Sequence, residues 1–98
     1  MNKNEVIDKL RAHEAELRAA GILRLAVFGS VARGDNRSNS DVDLLAEFDS
    51  SRRMSLLTVG RLENHLAELL GVKVDLSSPG WLKESVKRQV LQEAVNAF

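Results

Sequence analysis

The sequence predicts a small single domain of the α+β (α/β) class, with helices and strands alternating in the order αβ(turn)βαβα. Three observations predict it. The chain has 98 residues, 44% hydrophobic and 29% charged, a globular mixture large enough for one core. Its apolar spacing switches between the helical period and strict alternation. Glycines and one polar stretch rich in Gly, Ser, Asn and Asp punctuate those switches. Residues 1–98 therefore read as one domain, without repeat, linker or low-complexity segment.

In chain order, "NKNEVIDKLRAHEAELRAAG" places Val6, Leu10, His13 and Leu17 at helical spacing, with Ile7 beside them. Asn2 or Asn4 suits the start of that helix and Gly21 its stop. "ILRLAVF" reads as a strand apolar on both faces, hence well covered. "GSVARGDNRSNS", residues 29–40, is turn and loop with one helical turn after Ser30. "DVDLLAEF" alternates: Val42, Leu44, Ala46 and Phe48 share one face, while Asp41, Asp43, Leu45 and Glu47 share the other.

From about Ser55 to Leu70 the helical period returns through Val59, Leu62, Leu66 and Leu69, and Gly71 ends it. Gly60 inside that helix costs roughly 1 kcal/mol and predicts a close contact or a bend there. "VKVDLS" is a third strand, with Val72, Val74 and Leu76 on one face and Lys73 and Asp75 on the other. Pro79 opens a last helix carrying Trp81, Leu82, Val86, Val90, Leu91, Ala94, Val95 and Phe98. Those apolar residues exceed one narrow stripe, so part of this helix, or of the first, is expected to form a partner or homo-oligomer interface.

Charge and composition exclude several functions. Lys plus Arg and Asp plus Glu balance at 14 each, which argues against direct nucleic-acid binding or an anionic-membrane partner. The absence of cysteine removes disulfides, thiolate metal sites and cysteine nucleophiles. With no signal-like or membrane-spanning segment, a cytoplasmic location is expected.

The chemistry concentrates in "FGSVARGDNRSNSDVDLL". Asp41 and Asp43 sit two apart on a strand, with Cα atoms ~7 Å apart and side chains on one face. Such carboxylates share a proton or require a cation, and the apolar opposite face argues against a merely solvated charge run. Gly29-Ser30 follows the end of the first strand, Asp41 opens the second, and Asp75 lies near the end of the third. If the second strand runs opposite to the other two, all of them meet at one sheet edge. Three carboxylates there suit a hard cation such as Mg²⁺. Gly29 admits close backbone approach, Ser30 offers an N–H and a hydroxyl, and Arg33 lies one turn on, so this turn suits a phosphate.

Blander roles compete for the same residues. Arg33 could simply pair with Asp35, Ser40 shapes the turn before the strand, and Lys73 balances charge. His13 and His65 read as surface or helix-packing groups rather than metal ligands. "GSVARG" lacks the Lys-Ser/Thr of a Walker A loop. A calcium loop starting at Asp35 fails at Arg37 and Ser40 and has no acid in its twelfth place.

Gly29-Ser30, ten residues, then Asp41-Val42-Asp43 resembles the GSX10DXD signature of the minimal nucleotidyltransferases, relatives of DNA polymerase beta and the aminoglycoside nucleotidyltransferases. "VARGD", "SDVDLL" and "VKVDL" extend the resemblance over essentially the whole chain. It implies a nucleotidyltransferase fold: a small mixed β-sheet of three or more strands with helices packed on it, order αβαβαβα. It also implies ATP as cosubstrate with Mg²⁺, two ions, held by Asp41, Asp43 and Asp75. In the same terms, Asp75 lies near the attacking hydroxyl, and Gly29, Ser30 and Arg33 bind the nucleotide.

Minimal members resemble antitoxins of HEPN-type toxins, and some transfer AMP to a toxin hydroxyl. The chain leaves no room for an acceptor-holding domain, so the expected acceptor arrives on a partner protein. The alternatives are a non-catalytic antitoxin that masks its toxin and nucleotidyl transfer to a small molecule.

Overall fold

The first helical stretch forms two helices rather than one, α1 (Lys3–Ala12) and α2 (Glu14–Ala19). A computed structural model describes residues 1–37 and 39–98; Ser38, within the loop expected over residues 29–40, lies outside the described residues. Asn2 caps α1 by accepting the Glu5 N–H at 2.9 Å. At His13 the backbone leaves the helical region (φ −110°, ψ 17°), and its ring pairs with Glu16. Glu16 also faces His65 at 3.4 Å, so both histidines take the expected helix-packing role.

Strand β1 (Ile22–Phe28) runs directly into the short helix α3 (Gly29–Arg33), and β2 (Val42–Phe48) follows the loop. Next come α4 (Leu56–Leu70) and β3 (Val74–Ser77). The four-stranded sheet has the order β3-β2-β1-β4, with β4 at Val95–Asn96. β2 is antiparallel to β1, as expected, but parallel to β3. The expectation that β2 opposes both neighbours is therefore corrected. The physical reason is α4: a parallel pair needs a long crossover, and this helix returns the chain to the end where β2 began. Asp75 consequently stands near the start of β3, not its end, and still reaches the edge where β1 terminates.

The alternation of β2 is obeyed. Val42, Leu44 and Ala46 are buried against α1, α2 and α4, where Val6, Leu10, Leu17 and Leu66 are fully covered. Each such aliphatic side chain stabilises the fold by about 1.5–3 kcal/mol. On the other face Leu45 joins Ala26 and Val90 in a smaller core. The free edge of β3 is partly closed by Glu63 of α4, which accepts the Leu76 N–H at 2.9 Å.

The C-terminal quarter departs most from expectation. Instead of one helix from Pro79 to Phe98 there is a 3-10 turn (Pro79–Trp81), then α5 (Glu84–Glu93), then β4. Leu82 and Lys83 are extended and separate the turn from α5, and Ala94 (φ −64°, ψ 137°) ends α5. The chain can then pair Val95 with Val27, while the Ala97 N–H bonds Leu25 at 2.8 Å and Arg11 donates to the Ala97 carbonyl at 2.6 Å. Closing the second edge of β1 outweighs extending an already exposed helix. Val90 is the buried residue of α5, whereas Trp81, Val86 and Leu91 remain about half exposed. Trp81 stacks on Phe48 with ring centroids 5.6 Å apart.

The close contact expected at Gly60 does not appear: a Cβ there would meet nothing within 4 Å. With α4 running unbroken through it, Gly60→Ala is expected to stabilise the protein by roughly 0.5–1 kcal/mol. Chemical denaturation should show a higher midpoint at an unchanged m-value.

Candidate active site

The junction of β1 and α3 positions the site. Phe28 pairs with Asp43 across the antiparallel ladder, and Asp43 pairs with Asp75 across the parallel one. Two carboxylates therefore stand at one register level on neighbouring strands, level with Phe28 and beside the turn that follows it. Asp41 lies just before β2, whose first N–H, that of Val42, bonds the Lys73 carbonyl at 2.9 Å. Gly29 is buried with φ +72°, and an added Cβ would overlap the Asp43 carboxylate, whose Cγ would lie 3.1 Å away. Only a residue without a side chain lets the turn close over this acid.

Electrostatics follow from that packing. Asp43 is half-buried, and burial first, then Asp75 and Asp41, push its carboxyl above the usual carboxylate range, with Glu93 adding to the effect and Arg33 opposing it. Lys73 reaches Asp41 at 3.7 Å across an exposed gap, the charge-balancing role expected of it. Ser40 accepts the Arg37 N–H at 2.8 Å and shapes the turn, also as expected.

Arg33 makes the bland contact and a second one. Its guanidinium bonds Asp35 at 3.2 Å and Glu93 at 3.2 Å, and these two acids, Asp35 foremost, raise its pKa. Glu93 additionally accepts the Gly29 N–H at 2.9 Å. It is the site residue that sequence reasoning missed. Its one signal, an acid ending an amphipathic stretch, does not distinguish it from a surface glutamate. Ser30 lies half-exposed in the first turn of α3, and its carbonyl accepts the Asp35 N–H at 3.0 Å.

The donor set suits a hard cation. Its side-chain donors are carboxylate oxygens, and the negative charge that burial and the neighbouring acids oppose at Asp43 is charge that a divalent ion would neutralise. Among the described residues no group of three His, Cys, Asp or Glu side chains is disposed to hold an ion by itself. Mg²⁺ does not need one, since it binds through one or two carboxylates and completes its shell with water and phosphate oxygens. Asp43 and Asp75 supply such a pair, with Asp41 next to them. A cleft of about 250 Å³ lies on the same sheet face further from the acids, between Leu45, Ala26, Pro79 and Leu91.

This arrangement has relatives. A family model described as nucleotidyltransferase domain matches residues 7–96. The protein adenylyltransferase MntA of Thermococcus cleftensis is 41% identical over 92 residues, covering 93% of this chain and 91% of that protein. A candidate protein adenylyltransferase of Methanocaldococcus jannaschii is 36% identical over 98 residues, the full length of both. Among solved structures, a minimal nucleotidyltransferase with 40% identity superposes with a TM-score of 0.80, covering 97% of this chain and 95% of that one. The fold is also shared, at 22% identity and a TM-score of 0.71, by a chain from a toxin–antitoxin crystal with AMP-PNP, covering 100% of this chain and 73% of that one. The chain belongs to the nucleotidyltransferase domain family and, within it, is a minimal nucleotidyltransferase of the MntA type.

Proposed function

We propose that this protein is a Mg²⁺-dependent adenylyltransferase that transfers AMP from ATP to a hydroxyl of a partner protein, a HEPN-type toxin for which it is the antitoxin. The observation that supports it most directly is the register: Asp43 and Asp75 face each other across β2 and β3, with Gly29 of the phosphate turn packed on Asp43. In the proposed reaction the acceptor oxygen bonds the α-phosphorus, the α–β bridging P–O bond breaks, and pyrophosphate leaves. Asp43 and Asp75, with Asp41 beside them, would hold Mg²⁺, which would lower the pKa of the attacking hydroxyl and stabilise the departing pyrophosphate. Asp75, exposed at the edge of the sheet, accepts the proton of the incoming hydroxyl. The Gly29-Ser30 turn and Arg33 orient the phosphates.

Apolar surface is available for a protein acceptor: Trp81, Val86 and Leu91 stay exposed on the 3-10 turn and α5, and α5 reaches the site through Glu93. Among the described residues no helix is long and apolar enough to cross a membrane. Because the reaction consumes ATP, the working location we propose is the cytoplasm.

The test is incubation of the protein with a HEPN-type partner, labelled ATP and Mg²⁺, beside an Asp41→Asn/Asp43→Asn control. Label is expected on the partner with the wild type and absent with the control. Equal labelling by both would remove the assignment. Equal neutralisation of the toxin by an unlabelling triple-alanine variant at Asp41, Asp43 and Asp75 would select simple masking instead.

A further inference from the structure

Glu93 occupies the donors that a nucleotide phosphate needs. Its carboxylate accepts the Gly29 N–H at 2.9 Å and faces Arg33 Nη1 at 3.2 and 3.4 Å. The side chain is held in place, 17% exposed against 46% for Arg33. Two features oppose an anion there. Glu93 ends α5, where the helix dipole disfavours negative charge, and it adds like charge to the field around Asp43. The Gly29 amide and Arg33 are what offset these penalties.

We propose that Glu93 is an internal competitor for the nucleotide, a carboxylate seated where a phosphate binds and displaced when ATP enters. This rests on the nucleotidyltransferase assignment and goes beyond it. A phosphate offers more charge and more acceptor oxygens to the same fork of donors than one carboxylate does. Once displaced, Glu93 faces phosphate and the aspartates with no cation of its own, so it moves outward. The last turn of α5 continues through Ala94 into β4, which pairs with β1 at Ala26–Asn96 and Val27–Val95 and is followed by Ala97 and Phe98, both bonded to Leu25. Displacement is therefore felt at the junction of α5 and β4, on the helix that exposes Val86 and Leu91. Nucleotide occupancy thereby alters the surface available to a partner.

The test measures binding, without turnover, by calorimetry with Mg²⁺ and AMP-PNP and, separately, with inorganic tripolyphosphate. Wild type, Glu93→Gln and the shorter but still charged Glu93→Asp are compared. Both variants are expected to bind each probe roughly three- to tenfold more tightly, the scale of one charge-assisted hydrogen bond near solvent. Hydrogen exchange over residues 90–96 is expected to quicken when AMP-PNP binds the wild type and to be already quick in unliganded Glu93→Gln. Wild-type binding with no tightening in the variants, or weaker binding, overturns the competitor role and leaves the transferase assignment standing. Weaker binding specifically with Mg²⁺ would make Glu93 a metal ligand. Failure of every form to bind either probe overturns both.

Discussion

Asp43→Asn is expected to abolish adenylyl transfer, by on the order of a thousandfold, while making the metal-free protein more stable at neutral pH. Both effects have one origin. Asp43 is pushed above the usual carboxylate range by burial and by the charges of Asp75 and Asp41, so its ionised form opposes folding. Because the folded-state pKa exceeds the unfolded one, the folded chain holds the extra proton between the two values. The penalty is complete above the folded pKa and fades as pH falls through it toward the ordinary carboxylate value. Asn is nearly isosteric, cannot ionise, and removes the penalty outright.

The midpoint of Asp43→Asn should thus exceed that of the wild type at pH ~7 and converge with it near pH ~3. Mg²⁺ should reverse the order at neutral pH, because a cation stabilises only the form with its carboxylates intact. Calorimetric melts at both pH values, with Mg²⁺ and with EDTA, make the comparison. A variant that melts below the wild type in EDTA at neutral pH would contradict the electrostatic account. Activity loss without any metal-dependent difference in melting would remove Asp43 from the metal centre. Functional groups held against the preference of the fold commonly show this exchange of stability for activity.

Asp41 and Asp43 were legible because Val42, Leu44 and Ala46 alternate with them and share the main core. The period-2 pattern left Asp43 with a single possible side, shared with Asp41, and the alternation of Val72, Val74 and Leu76 did the same for Asp75; that Asp75 pairs with Asp43 came only with the register of β3. The turn at Gly29-Ser30 was legible for a similar local reason, a glycine at the end of an apolar strand. What the sequence did not disclose depends on contacts distant along the chain. Glu93 meets Gly29 across 64 residues, and no local period encodes that meeting. The sense of β3 depends on the path of α4 rather than on "VKVDL" itself. β4 forms because the edge of β1 is open to Val95, whereas the helical spacing of Val90, Leu91, Ala94 and Val95 argued for a helix to the end. Local patterns therefore placed the acids on their faces, and tertiary closure decided what faces the Gly29-Ser30 turn.

Gly29→Ala should be the most damaging small substitution in the chain. Two independent penalties coincide there. The φ of +72° is one that L-residues rarely adopt, and the new methyl would overlap the Asp43 carboxylate, lying 3.1 Å from its Cγ and 3.3 Å from its Cβ. Backbone strain of this kind costs about 1–3 kcal/mol, equivalent to roughly 4–8 °C of melting temperature per kcal/mol in a domain of this size. Relief requires that Asp43 rotate away or that the β1–α3 turn move. Either displaces the carboxylate or the Gly29-Ser30 amides by about an ångström, which on the proposed function is enough to reduce turnover ~100-fold or more.

Gly34→Ala is the internal reference. Its φ is +80°, yet an added Cβ meets nothing within 4 Å, so it isolates the strain without the collision. Activity should survive in Gly34→Ala and fail in Gly29→Ala. Truncating the acid should also shrink the excess stability loss: Gly29→Ala introduced into Asp43→Ala is expected to destabilise about as much as Gly34→Ala does. A double-mutant cycle in urea measures that coupling. Identical losses for Gly29→Ala and Gly34→Ala in the wild-type background, with transfer retained in both, would mean that the turn does not close over Asp43.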